Sequence, residues 1–172
     1  MDLEQNRLRE SVGCQDQIAS AYGGLNIINF GRDGSFSVTP LGLSDARRTE
    51  FEQWLMLFYT GSSRLSSDFA KRLIGRLEAN AAHLTRMYEM VAIAAELLHA
   101  GEMAAFGHLL HESWLLKRQL ANGTSTKTID RIYDDAQRAG ALGGKLLGAG
   151  GTGFMVFVVP PDRQPAVREA LS

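Results

Sequence analysis

Two carboxylates near the start of the sequence have a spacing that would suit a catalytic pair. Asp16 follows Gly13-Cys14-Gln15 at the start of a predicted short helix, where the helix dipole favours an ionised carboxylate. Glu4 lies twelve residues earlier in a predicted helix, and a turn at Gly13 would fold both acids toward one site. That arrangement suits one acid on a metal ion and one facing a substrate hydroxyl. The alternative is two solvated acids among nineteen.

Glycine is concentrated in one short stretch near the end of the sequence. Seven of the 18 glycines lie between Gly140 and Gly153, directly before an apolar run of strand character. Such a loop lets several backbone N–H groups approach an anion, because no Cβ blocks the approach. The stretch lacks the G-K-[ST] ending of a Walker loop, so a tight turn between two strands is the alternative interpretation.

Several side chains are candidates for binding an anionic substrate group. An apolar strand is followed by Ser62, Ser63 and Arg64, which open a predicted helix. The N–H groups at a helix start and a guanidinium beside them would bind a phosphate. Their alternative role is a helix cap with a surface arginine. Lys117 and Lys145 are second candidates for the same anion, and the alternative for each is a surface cation.

One group of residues has helical spacing compatible with a metal. His108, His111 and Glu112 stand in the run H-L-L-H-E, which matches no zinc-protease pattern and has no evident third ligand. We therefore interpret these residues as a solvated helix face.

The elements that must position these residues follow from apolar periodicity and turn chemistry. Strands are predicted over 25–30, 36–40, 54–59 and 154–159, the first two as a hairpin. Helices are predicted over 2–10, 16–21, 69–77, 84–98, 103–120, 129–136 and around Val167. Because strands and helices mix without regular alternation, the predicted class is α+β.

Composition excludes several classes of protein. The chain has 172 residues, 45% of them hydrophobic and 22% charged, which suits about one folded domain rather than a disordered chain. A net charge of −1 argues against broad nucleic-acid binding. The charged N-terminal segment and the lack of a long apolar run argue against a signal peptide and a membrane span. The single cysteine, Cys14, fits a cytoplasmic location.

Four ordered blocks of sequence carry a family resemblance. They read E-Q-N-R-L-R-E-S-V-G-C-Q-D-Q, F-Y-T-G-S-S-R, H-E-S-W-L-L-K-R and G-A-L-G-G-K-L-L-G-A-G-G-T-G-F. Together they resemble sugar kinases of the GHMP superfamily, which includes galactokinase and the homoserine, mevalonate and phosphomevalonate kinases. The likeness is greatest to the D-glycero-D-manno-heptose 7-phosphate kinases, and it extends over nearly the whole chain.

The resemblance implies a role for each candidate residue. It implies that Asp16 faces the hydroxyl to be phosphorylated and that Glu4 holds Mg²⁺ between the phosphates of ATP. It also implies that the glycine loop lies at the phosphate-transfer site; that loop comprises Gly148, Ala149, Gly150, Gly151, Thr152 and Gly153. The predicted substrate-binding set is Gln15, Ser62, Ser63, Arg64 and Lys145.

The implied reaction transfers phosphate from ATP to a hydroxyl, expected to be the anomeric one, of a heptose 7-phosphate. A fucose- or galactose-type substrate is an alternative, and so is a non-catalytic α+β binding module. Phosphoryl transfer depends mainly on positioning and charge neutralisation, so Asp16 need not be a strong base.

Two parts of the family pattern are not found in this sequence. The loop motif P-x-x-x-G-L-G-S-S-[AS], which wraps ATP phosphates in that family, normally precedes the Q-D-Q acid, and a last strand normally follows the final helix. The expectation is an internal segment of a longer kinase: residues 1–48 from the rear of the N-terminal domain, and residues 49–172 as a ferredoxin-like C-terminal domain with extra helices. Such a segment is expected to turn over little alone and to self-associate through open sheet edges. A piece needing an N-terminal partner, or a degenerate binding domain, are the other interpretations.

Overall fold

The computed structural model describes residues 14–61, 78–121, 123–148 and 153–172. The helices of these ranges are α1 (Gln15–Tyr22), α2 (Asp45–Gln53), α3 (Ala81–Ala100), α4 (Met103–Leu120), α5 (Lys127–Ala139) and α6 (Gln164–Ala170), with a 3₁₀ turn at Pro161–Arg163. The strands are β1 (Asn26–Phe30), β2 (Phe36–Pro40), β3 (Leu55–Tyr59), β4 (Gly143–Leu146) and β5 (Phe154–Val158). The described helices include none with the length and apolarity needed to cross a membrane.

Three strands form the central sheet. Their order is β3-β5-β4 and both pairings are antiparallel, so β5 lies in the middle. The register places Phe157 opposite Met56 on one side and opposite Gly144 on the other. Because side chains alternate across a strand, Met155 and Phe157 point to one face, and both are fully buried.

The main core covers that face of the sheet. Helix α5 begins at the cap Thr126, whose hydroxyl accepts a hydrogen bond from the Ile129 N–H. Three apolar residues recur along one side of α5, and they pack against the sheet together with α6 and Trp114 of α4. The buried members are Met56, Trp114, Ile129, Tyr133, Ala136, Ala141, Leu146, Met155, Phe157, Val159 and Val167.

A smaller core joins the hairpin of β1 and β2 to the helices. Leu41, Leu98 and Met103 are its buried members, and Phe51 of α2 packs edge-on against Phe106 of α4 at 5.4 Å between ring centroids. Helix α2 spans the expected domain boundary at residues 48 and 49, and that boundary stays a prediction.

Helix α4 crosses strand β4 at very short range, and glycine makes this possible. A Cβ atom added at Gly143 would overlap the carbonyl oxygen of Gly107 in α4. One added at Gly144 would lie against the Phe157 ring. Gly143 therefore allows the close contact between helix and strand, and Gly144 leaves room for the Phe157 ring of β5.

The α+β class is confirmed, and most predicted elements are present. Both hairpin strands, β3, β5 and helices α1, α3, α4, α5 and α6 match the sequence predictions within a few residues. Helix α2 was not predicted, and neither was β4, whose glycines suggested a loop. The predicted helices over 2–10 and 69–77 lie outside the described residues.

Candidate functional site

Helix α1 places the candidate catalytic acid in its first turn. Asp16 and its neighbour Gln15 are both exposed, whereas Ile18 on the same helix is buried and anchors it. The structure therefore presents the Asp16 carboxylate at an exposed position.

Lys117 of helix α4 reaches from the helix to the start of the glycine loop. Its Nζ donates to the carbonyl of Gly148 at 2.7 Å and to that of Leu146 at 3.1 Å. Burial, together with the nearby ammonium of Lys145, lowers the pKa of Lys117 to about 8, while the carboxylate of Asp16 acts in the opposite direction. Asp16 and Lys145 are thus both within electrostatic range of Lys117.

Lys145 of strand β4 lies at one end of a cleft of about 230 Å³ between α3 and α4. The cleft walls are largely apolar, with Met90, Phe106 and Leu109 among them and Ser113 as a polar neighbour. Burial lowers the pKa of Lys145. Both lysine side chains are half-buried rather than fully exposed.

The glycine loop connects β4 to β5 as the turn of a hairpin. The Leu147 N–H donates to the Phe154 carbonyl at 2.9 Å and closes the base of this loop. Gly148 and Gly153 flank it with φ angles of 68° and 115°, a region that favours glycine. The described backbone on either side of the loop thus agrees with the interpretation of a turn between two strands.

The seven clustered glycines divide by position. Gly140 caps helix α5, and Gly143 and Gly144 pack against α4 and Phe157. Gly148 and Gly153 flank the loop, and the other two lie outside the described residues. At least three of the seven glycines therefore have a structural reason that does not involve a ligand.

His111 is a structural residue, contrary to the interpretation as part of a solvated helix face. Its Nδ1 lies 2.7 Å from the Tyr133 hydroxyl and 3.2 Å from the Gln137 amide nitrogen, and its ring stacks on Tyr133. Glu112 accepts from the Arg86 guanidinium at 2.7 Å and 3.1 Å. Only His108 of the three is exposed. No cluster of three or more metal-ligating side chains is found within the described ranges.

The structure brings part of the predicted site together. Lys117 donates to the Gly148 carbonyl, and the charges of Asp16 on α1 and Lys145 on β4 both influence its ammonium. Gln15 lies beside Asp16 on α1. Glu4, residues 62–64 and residues 149–152 lie outside the described part of the chain.

Sequence reasoning missed one polar residue at this site. The hydroxyl of Thr60, just after β3, donates to the Gly153 carbonyl at 2.8 Å and accepts from the Gly153 N–H at 3.0 Å. Thr60 stands within the block F-Y-T-G-S-S-R, which was the available signal. Its partner is 93 residues away, so local pattern alone did not reveal the contact.

Comparison with known families identifies the C-terminal half of the chain. Residues 94–172 match the family described as GHMP kinases C terminal. This range begins within α3 and includes α4, α5, β4, β5 and α6.

Individual relatives cover nearly the whole chain. It is 31% identical to the D-glycero-alpha-D-manno-heptose 7-phosphate kinase of Campylobacter jejuni over 99% of this chain and 51% of that protein. It is also 31% identical to the L-fucokinase/L-fucose-1-P guanylyltransferase of Bacteroides fragilis, over 96% of this chain and 18% of that protein. The chain thus spans about half the length of the first of these relatives.

A solved structure shows the same fold. The D-glycero-D-manno-heptose 1-phosphate kinase of Bacteroides thetaiotaomicron superposes with a TM-score of 0.72 and 26% identity, covering 99% of this chain and 45% of that one. The resemblance inferred from the four sequence blocks is therefore confirmed, and the homologues of this chain are sugar kinases.

Proposed function

We propose that this chain carries the catalytic acid and glycine loop of an ATP-dependent sugar kinase, supported by the match of residues 94–172 to the family described as GHMP kinases C terminal. The proposed substrate is a heptose 7-phosphate, phosphorylated at its anomeric hydroxyl. The identity to the Campylobacter heptose 7-phosphate kinase over nearly all of the chain supports this substrate class.

The observation that carries the proposal is that Lys117 interacts with two parts of the chain that are distant in sequence, α1 and the end of β4 with the residue that follows it. Asp16 in α1, Lys145 in β4 and Gly148 in the glycine loop all interact with its ammonium. Two half-buried lysines, one of them within electrostatic range of an exposed carboxylate, would supply both charges that phosphate transfer uses. The cations would face the phosphate oxygens and the carboxylate would face the hydroxyl.

The proposed chemistry assigns each described residue a role. The sugar hydroxyl oxygen attacks the γ-phosphorus of ATP, and the bond from that phosphorus to the ADP oxygen breaks. Asp16 aligns the hydroxyl and accepts its proton late, then releases it to water. The positive charge of Lys117 and Lys145 offsets negative charge that shifts onto the transferring oxygens.

Apart from Gln15, which lies in α1, the rest of the proposed machinery lies on residues outside the described ranges. Glu4 is proposed to hold Mg²⁺, which when bound would neutralise phosphate charge. Ser62, Ser63 and Arg64 are proposed to bind the 7-phosphate of the sugar. Gln15 is proposed to contact the sugar beside Asp16. The cytoplasmic location also stays a prediction.

A second sugar is a candidate because of one specific observation. The chain is as similar in sequence to a Bacteroides L-fucokinase as to the heptose kinase, at 31% identity in both cases. Fucose carries no phosphate, so a fucose-type enzyme would not need a binding site for a 7-phosphate.

The test measures phosphate transfer by the protein as its gene encodes it, with Mg-ATP and each of three sugars: D-glycero-D-manno-heptose 7-phosphate, L-fucose and D-galactose. We expect phosphorus NMR to show a new anomeric phosphate with the heptose and much slower transfer to the other two. The variant Asp16→Asn should lower kcat about 100-fold or more, because the amide cannot accept the proton.

The matched control is Glu169→Gln, an exposed acid of α6 far along the chain from the site, which should keep wild-type kinetics. Preferred transfer to fucose would replace the heptose proposal. A wild-type rate in Asp16→Asn would remove the role of Asp16, and no transfer to any sugar would overturn the proposed kinase.

A further inference from the structure

The imidazole of His111 lies where three elements meet. His111 belongs to α4, and its Nδ1 lies 2.7 Å from the Tyr133 hydroxyl and 3.2 Å from the Gln137 amide nitrogen, both on α5. Its ring also stacks on the Tyr133 ring, at 5.8 Å between centroids. Strand β4 passes close by, since a Cβ atom added at Gly143 would lie 2.8 Å from the His111 backbone nitrogen. We call these three side chains the α4–α5 joint, and it lies where α4 crosses β4.

The hydrogen bonds of the α4–α5 joint require one charge state of the imidazole. A phenolic hydroxyl and an amide N–H can each donate to a ring nitrogen, and only a neutral imidazole has a ring nitrogen that accepts. The backbone of Gly144 in β4 also bonds to the Tyr133 hydroxyl. Because the backbone donor is an N–H, the hydroxyl accepts from Gly144 and donates its own proton to His111. The joint is therefore complete when Nδ1 of His111 carries no proton.

Protonation of His111 would leave two donors without an acceptor. The new proton on Nδ1 would point at a hydroxyl that already accepts from Gly144, and both the hydroxyl proton and the Gln137 N–H would lose their partner. Tyr133 is 1% exposed, so water cannot replace that partner, and its ring packs against Trp114 and Phe157. An unpaired buried donor is destabilising, so the protonated joint is weaker than the neutral one.

The electrostatic surroundings of His111 also favour the neutral imidazole. Burial, and after it the charge of His108, lowers the pKa of His111 below its ordinary value of 6.5. Glu112, the next residue of α4, is bound by Arg86 of α3, and β4 contributes the uncharged Gly143 and Gly144 at this point. The charged side chains that act on the Tyr133 hydroxyl are Arg118 of α4 and Asp134 of α5.

Both elements that meet α5 at this joint carry a cation of the proposed site. Lys117 lies further along α4, and Lys145 directly follows Gly144 on β4. We propose that His111 and Tyr133 are positioning residues, which hold α4 and β4 in the geometry for phosphate transfer only while the His111 imidazole is neutral. The catalytic part of this inference rests on the proposed function, and the structural part does not.

The first experiment measures the charge state of His111. In an NMR titration, the His111 ring signal is identified by its loss in His111→Asn, and its midpoint should lie below 6.5. In Tyr133→Phe the midpoint should rise, because the neutral imidazole loses the bond from the hydroxyl. The matched control is Tyr88→Phe, which removes an exposed hydroxyl on α3 and should leave the midpoint unchanged. A wild-type midpoint at or above 6.5, or no response to Tyr133→Phe, would overturn the inference.

The second experiment measures the stability linked to that proton. Between the folded midpoint and pH 6.5 the unfolded chain binds more protons, so the free energy of unfolding should fall as the pH falls through this window. His111→Asn offers an amide oxygen as an acceptor that does not titrate, and it should lose this part of the pH dependence in urea unfolding. His99→Asn, at an exposed position on α3, should keep it. Equal pH dependence in wild type and His111→Asn would contradict the α4–α5 joint.

The third experiment measures the consequence for transfer by the protein as its gene encodes it, with Mg-ATP and the three sugars named above. The wild-type kcat should fall with pH at the midpoint of the His111 ring signal, and this fall should be absent in His111→Asn and present in His99→Asn. A pH profile unchanged by His111→Asn would overturn the positioning role. The expected titration and unfolding in a protein that transfers no phosphate would support the joint and remove the proposed kinase.

Discussion

The ammonium of Lys117 is half-buried and is influenced by charges of both signs. Burial and Lys145 favour its neutral form, whereas Asp16 favours its charged form, and the net result is a pKa of about 8. The unfolded chain would give this lysine its ordinary pKa of 10.5. Between these two values the unfolded state binds more protons, so the free energy of unfolding rises with pH across that window.

The titration of Lys117 tests the arrangement of the site directly. By NMR of the side-chain Cε and Nζ, we expect a midpoint near 8 in the wild-type protein. Asp16→Asn should lower that pKa further, and Lys145→Met should raise it, because each removes one of the two neighbouring charges. In Lys117→Met, the rise in stability between pH 8 and 10.5 should be smaller in urea unfolding. An ordinary lysine midpoint, or no response to Asp16→Asn, would contradict the proximity of these groups.

At the scale of elements, two glycines of the same cluster are needed for different reasons, and substitution separates them. Gly143→Ala places a Cβ against the α4 backbone, which cannot move aside, and should lower the free energy of unfolding by about 3 kcal/mol. Gly148→Ala has open space and should cost only about 1 kcal/mol, from its positive φ angle. Urea unfolding measures both, and equal losses would show that β4 and α4 are not in this close contact.

The elements that sequence reasoning found are those with a local signal. Strands β3 and β5 are continuous apolar runs, and α5 has a threonine cap, an apolar stripe and a closing glycine. Helix α2 is strongly polar with no buried residue, so it has no apolar stripe, and only its cap Ser44 marked its start. Strand β4 was missed because its two glycines are required by close contacts with Gly107 and Phe157. Both of these residues are distant in sequence.

The same distinction applies to the candidate site. Asp16 and the loop were found from the helix-start position and the glycine density, which are both local. The Lys117 ammonium donates to carbonyls 29 and 31 residues away, and the Thr60 hydroxyl bonds to a residue 93 residues away. Those distances exceed any sequence period, so only the folded chain reveals that these residues meet.

At the scale of the whole molecule, the central sheet has one protected edge and one that is open among the described residues. Strand β4 is covered by α4, with Lys117 bonded to its Leu146 carbonyl. Strand β3 pairs with β5 on one side, and no other described strand lies on its second side. Close to that edge, Leu57 and Tyr59 are 61% and 56% exposed, and Phe154 is 47% exposed. An unpaired strand edge beside exposed apolar side chains favours pairing with another chain.

We therefore expect this chain to self-associate through β3. Light scattering after gel filtration should show a mass that rises with protein concentration, and Leu57→Lys should return the chain to the monomer, because a charge on an edge strand opposes strand pairing. The matched control is Val91→Lys, which places the same charge at an exposed apolar site on α3 and should leave association unchanged. A wild-type mass that stays monomeric across the concentration range would contradict this expectation, and association abolished equally by both variants would assign it to general apolar contact rather than to the β3 edge.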